Sequence, residues 1–262
     1  MAFLGSRPLG AYALRLLLEM KNIEVVACVC RPPHANAWWE DDPFEIVSGD
    51  VATLEELSEI DFDLGVSINY WRLLSPEMIR KPALGFVNQH HAHNLSLRGR
   101  NMTARAILEA RETGRWYHGT CLHYTDDGLD TGPIIESTAC DITEHDTGWT
   151  LFNKCEEVAR TMLAAWLPRL VVSRAPVAFP EENQPLLKSA AELEGYKFIA
   201  SLKDNPERSY DIVRAFDFNG FFDGAFTEID GKAISLTASE CRGGETLFEL
   251  DQNRKIYASV IK

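Results

Sequence analysis

The feature that most constrains this chain is an alternation that begins at its first residues. Ala2-Phe3-Leu4-Gly5 is a short apolar run of strand type, and Leu9, Ala13, Leu16, Leu17 and Met20 then repeat at helical spacing. Strand, tight turn and helix is how an open parallel sheet begins, because a parallel neighbour is reached only through a crossover. The pattern continues with strands expected over 23–30, 63–70, 85–92, 117–124 and 133–141. Ser75-Pro76 starts one helix, residues 101–112 have helical composition, and Asp146-Thr147-Gly148 caps a long amphipathic helix from about 149 to 171. This predicts a three-layer α/β domain with a mostly parallel sheet, helices on both faces, and a site beyond the carboxyl ends of the strands.

The character changes after Ser173. Residues 174–205 are rich in Pro, Glu and Lys and read as a connector with one short helix; Asn205-Pro206 then starts another helix. Residues 224–229, 232–237, 245–250 and 255–261 alternate as strands, with Asp230-Gly231 as a two-residue hairpin turn. The expected organisation is a large domain over 1–173, the connector, and a small antiparallel β domain over 206–262.

Thirty-nine acidic against 26 basic residues give a net charge of −13, which repels a polyanion, so nucleic acid is excluded as a partner. No run of apolar residues is long enough to span a bilayer, and no basic segment, apolar core and cleavage site opens the chain; the expectation is a cytoplasmic protein with no membrane partner. The six cysteines show no CxxC pair and sit mostly in apolar runs, so reduced, buried thiols are expected. Cys28 and Cys30 share a strand face and read as core filling. Gly5-Ser6-Arg7-Pro8-Leu9-Gly10 lacks the Lys-Ser/Thr of a phosphate loop and the spacing of a dinucleotide fingerprint, so neither ATP nor NAD is inferred. The helix start at Ser6 and Arg7 is either a simple turn or a holder of an anionic substrate group. Of the adjacent Trp38 and Trp39, one is expected to pack while the other caps a ligand or joins the same aromatic corner.

Chemistry concentrates in residues 85–101, a strand running into a polar loop. On a strand, Asn88 and His90 face one way and His91 and His93 the other. An amide donor beside an imidazole suits attack on a carbonyl, since the amide binds the developing oxyanion while the imidazole handles the proton. Asp130, in Gly128-Leu129-Asp130-Thr131-Gly132, is the carboxylate that would complete the set. His91 and His93 have His-x-His spacing, but no acidic or Cys cluster accompanies them, and no metal is expected.

These residues resemble the folate-dependent formyltransferases, the family that includes enzymes acting on methionyl-tRNA, glycinamide ribonucleotide and sugars. Asn88-Gln89-His90 is similar to the family's Asn-x-His, and Gly128-Leu129-Asp130-Thr131-Gly132 to its Leu-Asp-Thr-Gly loop. Tyr70-Trp71-Arg72-Leu73-Leu74-Ser75-Pro76, Arg98-Gly99, Asp146-Thr147 and Val213-Arg214-Ala215-Phe216 extend the likeness over nearly the whole chain. The resemblance implies a Rossmann-like catalytic domain, N10-formyltetrahydrofolate as co-substrate, and transfer of its formyl group to an amine. Carried over, Asn88 binds the oxyanion, His90 is base or proton relay, and Asp130 orients His90. The pterin would lie near Tyr70, Trp71, Phe86, Tyr124, Asp126 and Asp130. Two departures, Ala92-His93-Asn94-Leu95-Ser96 in place of Ser-Leu-Leu-Pro and Trp71 in place of glycine, give an acceptor side unlike that of the tRNA enzyme. The expected acceptor is a nucleotide-linked amino sugar, as in O-antigen precursors, with Arg7, Arg98, Arg100 and His93 as its contacts and the β domain as a homodimer surface. The rivals are another small amine, a formyltetrahydrofolate hydrolase, and a non-catalytic folate- or nucleotide-binding module.

Overall fold

A computed structural model describes residues 1–35, 37–179, 190–239 and 245–259. Cys241, part of the connector and the end of the last expected strand lie outside them. In chain order the first elements are β1 (Ala2–Gly5), α1 (Arg7–Leu18), β2 (Ala27–Val29), α2 (Pro43–Ile46), α3 (Leu54–Glu59), β3 (Gly65–Ile68) and α4 (Pro76–Arg80). Next come β4 (Phe86–His90), α5 (Met102–Thr113), β5 (Tyr117–Tyr124), β6 (Ile134–Asp141) and α6 (Gly148–Leu170). The chain continues with α7 (Ala190–Gly195), α8 (Pro206–Ala215), β7 (Phe226–Ile229), β8 (Lys232–Thr237), β9 (Thr246–Glu249) and β10 (Lys255–Ser259).

The large sheet has the order β2-β1-β3-β4-β5-β6; β2, β1, β3 and β4 pair in parallel, and β4 meets β5 antiparallel. Alternation along β1 divides the core. Phe3 packs with Leu9, Ala13, Leu14 and Leu17 of α1 and Ala159, Met162, Leu163 and Leu167 of α6. Ala2 and Leu4 pack on the other face with Leu57 of α3, Met78 of α4 and Phe86. The α/β fold with helices on both faces is therefore as the pattern of apolar residues requires. The second sheet is antiparallel, in the order β7-β8-β10-β9, and Asp230 and Gly231 make its first hairpin with φ of 52° and 74°, the left-handed pair a two-residue turn needs.

Contacts divide the chain into two units. One contains Met1–Ser96, Gly119–Ala139 and residues 156–179; the other contains Leu97–His118, Cys140–Cys155 and the described residues from Ala190 onward.

Three sequence expectations change. The second strand is three residues rather than eight, because it is the sheet edge and pairs only along Ala2↔Ala27, Phe3↔Cys28 and Leu4↔Val29. Between it and β3 stand two helices that apolar periodicity did not reveal, capped by Asp42 and by a Thr53/Glu56 capping box. The fourth strand ends at His90 rather than Ala92: the Ala92 N–H turns back to the His90 carbonyl, and Asn94 and Leu95 follow at φ of 51° and 53°. His91 and His93 are thus loop residues and not the reverse face of a strand.

Candidate active site

Strand β4 delivers Asn88 and His90 on one face near its carboxyl end, and the loop after β5 delivers Asp130. That loop is fixed by its own sequence. Asp126 Oδ1 accepts the Gly128 N–H at 3.1 Å and the Thr131 hydroxyl at 2.6 Å, closing an Asx turn. A Cβ on Gly132 would fall 1.8 Å from the Tyr124 carbonyl oxygen, which excludes a side chain there, and one on Gly128 would fall 2.1 Å from Thr131 Oγ1 and would have to displace that hydroxyl. Between the two glycines Asp130 adopts a left-handed φ of 51°, which turns its carboxylate to within 3.7 Å of His90 Nε2. At that separation the two groups do not hydrogen-bond to each other; an imidazolium there would be attracted to the carboxylate. Both are largely shielded, with side-chain exposures of 12% for His90 and 10% for Asp130.

A second histidine completes the group, and the sequence reading missed it. His123 is cross-strand partner to Asn88, is 1% exposed, and holds its Nε2 3.1 Å from Asn88 Nδ2. Its Nδ1 stands 2.9 Å from the Tyr124 carbonyl oxygen. Burial, and then the neighbouring His90, push its pKa down from 6.5 to about 4, so the ring is neutral at physiological pH. The available signal was strand parity in residues 117–124, but parity does not supply the β4/β5 register.

The other predicted residues separate into groups. Tyr70 and Trp71 leave the carboxyl end of β3 with ring centroids 4.5 Å apart; Arg31 lies over Trp71 at 4.4 Å, and the buried Tyr70 hydroxyl has no hydrogen-bond partner among the described residues. Phe86 and Tyr124 point into the two cores, so only their backbones border the loop: the Phe86 carbonyl takes both Thr125 N–H and Thr125 Oγ1–H. The Arg7 N–H at the start of α1 already donates to Asp42 at 2.8 Å, and its guanidinium lies 5.3 Å from the Trp39 ring. Trp39 is buried and donates to the same carboxylate, which makes it the packed member of the tryptophan pair. His93 is paired with Ser137 at 3.0 Å, and burial lowers its pKa. His91 binds Glu156 at 3.0 Å. The two histidines have separate partners, and the described residues contain no cluster of three or more His, Cys, Asp or Glu that could hold a metal. Arg98 and Arg100 belong to the second unit, where Arg98 Nε is buried without a hydrogen-bond partner among the described residues and Arg100 is exposed.

Known proteins share this arrangement of elements. The chain is 29% identical over 191 residues to methionyl-tRNA formyltransferase of Myxococcus xanthus, covering 72% of this chain but only 58% of that protein. It superposes on an N-formyltransferase from Helicobacter canadensis, solved with folinic acid and dTDP-3-aminofucose, with a TM-score of 0.74 and 18% identity over 98% of each chain. A 4-N formyltransferase from Francisella tularensis gives a TM-score of 0.75 and 13% identity over 90% of this chain and 96% of that one. No helix among the described residues is long and apolar enough to cross a membrane. Residues 19–167, more than half the chain and the span from just after α1 into α6 in which Asn88, His90, His123 and Asp130 lie, match the formyl transferase family, and the chain belongs to it.

Proposed function

We propose that this protein transfers the formyl group of N10-formyltetrahydrofolate to the amine of a nucleotide-linked amino sugar. The observation that carries the reading is one amide, one imidazole and one carboxylate grouped at the end of β4 in a chain of the formyl transferase family. A bound formyl folate supplies an activated carbonyl. Asn88 donates an amide N–H to the carbonyl oxygen as it gains charge during attack by the amine. His90, on the same strand face, takes the proton the amine nitrogen loses as the new C–N bond forms. Asp130 stabilises the resulting imidazolium, its 3.7 Å separation closing as the ring gains charge. When the bond to the folate nitrogen breaks, His90 returns the proton to that nitrogen, which balances the reaction.

Tyr70, Trp71, the backbone at Phe86 and Tyr124, and the loop of Asp126 and Asp130 are assigned to the folate. Arg7, Arg98 and Arg100 are assigned to the acceptor's diphosphate, and His93 to its sugar. Residues 1–173 form the catalytic part in this reading, in the cytoplasm, with 174–205 as connector and 206–262 as a β domain that makes a homodimer. A monomer by light scattering at assay concentration would remove that last assignment.

The amine of a charged tRNA is the second reading, since the curated relative is a methionyl-tRNA formyltransferase. A net charge of −13 opposes it. The test is mass spectrometry of nucleotide-linked amino sugars and charged initiator tRNA, each incubated with the protein and N10-formyltetrahydrofolate. A formylated sugar that is lost in His90→Asn and Asp130→Ala supports the proposal. Formylated tRNA selects the second reading, and formate release without any amine selects a hydrolase.

A further inference from the structure

Resting on that reading of the site, we propose that His123 is a positioning residue that selects which edge of the Asn88 amide faces the reacting carbonyl. The Tyr124 carbonyl oxygen has no proton to give, so at 2.9 Å it can only accept, and ring nitrogen Nδ1 carries the hydrogen. In a neutral ring Nε2 then has a lone pair. Asn88 Nδ2, 3.1 Å away, donates one amide N–H to it. This is the hydrogen bond the Asn88 side chain makes among the described residues, and it resolves an ambiguity that the amide cannot settle alone.

A flipped amide would set Oδ1 against the Nε2 lone pair and turn an acceptor toward the substrate carbonyl. With His123 as acceptor the nitrogen is held, one N–H is used as the anchor, and the second remains for the oxyanion. The ring is suited to the task because it is buried in the antiparallel register opposite Asn88 and is kept neutral there. A protonated ring would present Nε2–H and favour the wrong edge.

The test compares kcat and KM in wild type, His123→Asn, His123→Gln, Asn88→Ala and the Asn88→Ala/His123→Asn double variant. Asn keeps a donor to the Tyr124 carbonyl but does not reach Asn88; Gln carries an oxygen to the place of Nε2. His123→Asn is expected to lower kcat roughly ten- to hundredfold with KM for both substrates nearly unchanged, and His123→Gln to recover most of the loss. In the Asn88→Ala background His123→Asn is expected to cost less than about threefold, because the residue acts through Asn88. An equal cost in both backgrounds, or a loss confined to KM, overturns the proposal. A wild-type protein that transfers no formyl group refutes the functional reading instead. In that event nitrogen NMR of labelled histidines still decides: His123 is expected as a neutral, Nδ1-protonated ring from about pH 8 to about pH 5, and an Nε2-protonated ring overturns the proposal whatever the reaction.

Discussion

Two shielded aspartates, one in each unit, face different groups. Asp217 is 4% exposed, and its Oδ2 accepts from the Thr237 hydroxyl at 2.6 Å, the Ala238 N–H at 3.1 Å, and the Ser239 N–H and hydroxyl at 3.0 and 2.6 Å. Asp130 is comparably shielded, yet stands 3.7 Å from His90 on a left-handed backbone. A carboxylate saturated by short hydrogen bonds holds structure together; one facing an imidazole would, in the proposed mechanism, answer the charge that forms on the ring during attack. Arg214 in the same unit as Asp217 is structural too: fully buried, it donates to Asp211 at 2.8 Å and to the carbonyls of Thr143 and Asp146 at 2.9 and 3.0 Å, while its Nη2 has no hydrogen-bond partner among the described residues.

The contrast is broken most easily through activity. Asp130→Ala and Asn88→Ala are each expected to reduce formyl transfer by roughly two to four orders of magnitude, while guanidine unfolding shifts by less than about 1 kcal/mol. An Asp130→Ala protein that keeps its rate, or unfolds, would put Asp130 in the same class as Asp217. Asp217→Ala should do the reverse, lowering stability by about 3 kcal/mol because two hydroxyls, Thr237's buried and Ser239's half-buried, and three N–H groups lose their acceptor. Its rate per folded molecule should change less than about threefold.

A subtler effect belongs to His123. Its folded pKa, about 4, lies below the ordinary 6.5, so the unfolded chain binds more protons across that window, and stability must fall as pH drops from about 6.5 toward 4. The size is on the order of 3 kcal/mol. Guanidine titrations at a series of pH values check it, and His123→Asn should flatten the slope. The smallest expected difference is among the described cysteines. Burial holds the Cys28 thiol up to about 11 and Cys30 to about 12, whereas the Cys140 thiol, hydrogen-bonded with Cys155 at 3.6 Å, is lowered. Brief alkylation followed by peptide mass spectrometry should find Cys140 modified before Cys28 and Cys30.

Local chemistry made the site's individual parts legible before any coordinates. Gly128 and Gly132 around Asp130 announce a tight loop, and Asn88 and His90 announce one strand face. Asp230-Gly231 announces its hairpin by itself. His123 was hidden for a different reason: its meaning depends on lying opposite Asn88, a register set by packing across the 26 residues between β4 and β5, which include a helix. The helix over Leu54–Glu59 was legible in principle from Thr53 and Glu56, but six residues with one buried leucine show too little periodicity.

Tyr124 gives the first unit an unusual kind of rigidity. Its ring is part of the main core, its hydroxyl accepts the Ala175 N–H, its carbonyl fixes His123 and crowds Gly132, and its N–H bonds to the Pro133 carbonyl. A single residue thus ties the hydrophobic interior to both sides of the reacting group. Such a site has no slack of its own: a small loosening of the interior, too slight to register as lost helix or strand, is passed straight to Asn88 and Asp130. On warming, turnover should therefore fail some degrees before the fold does.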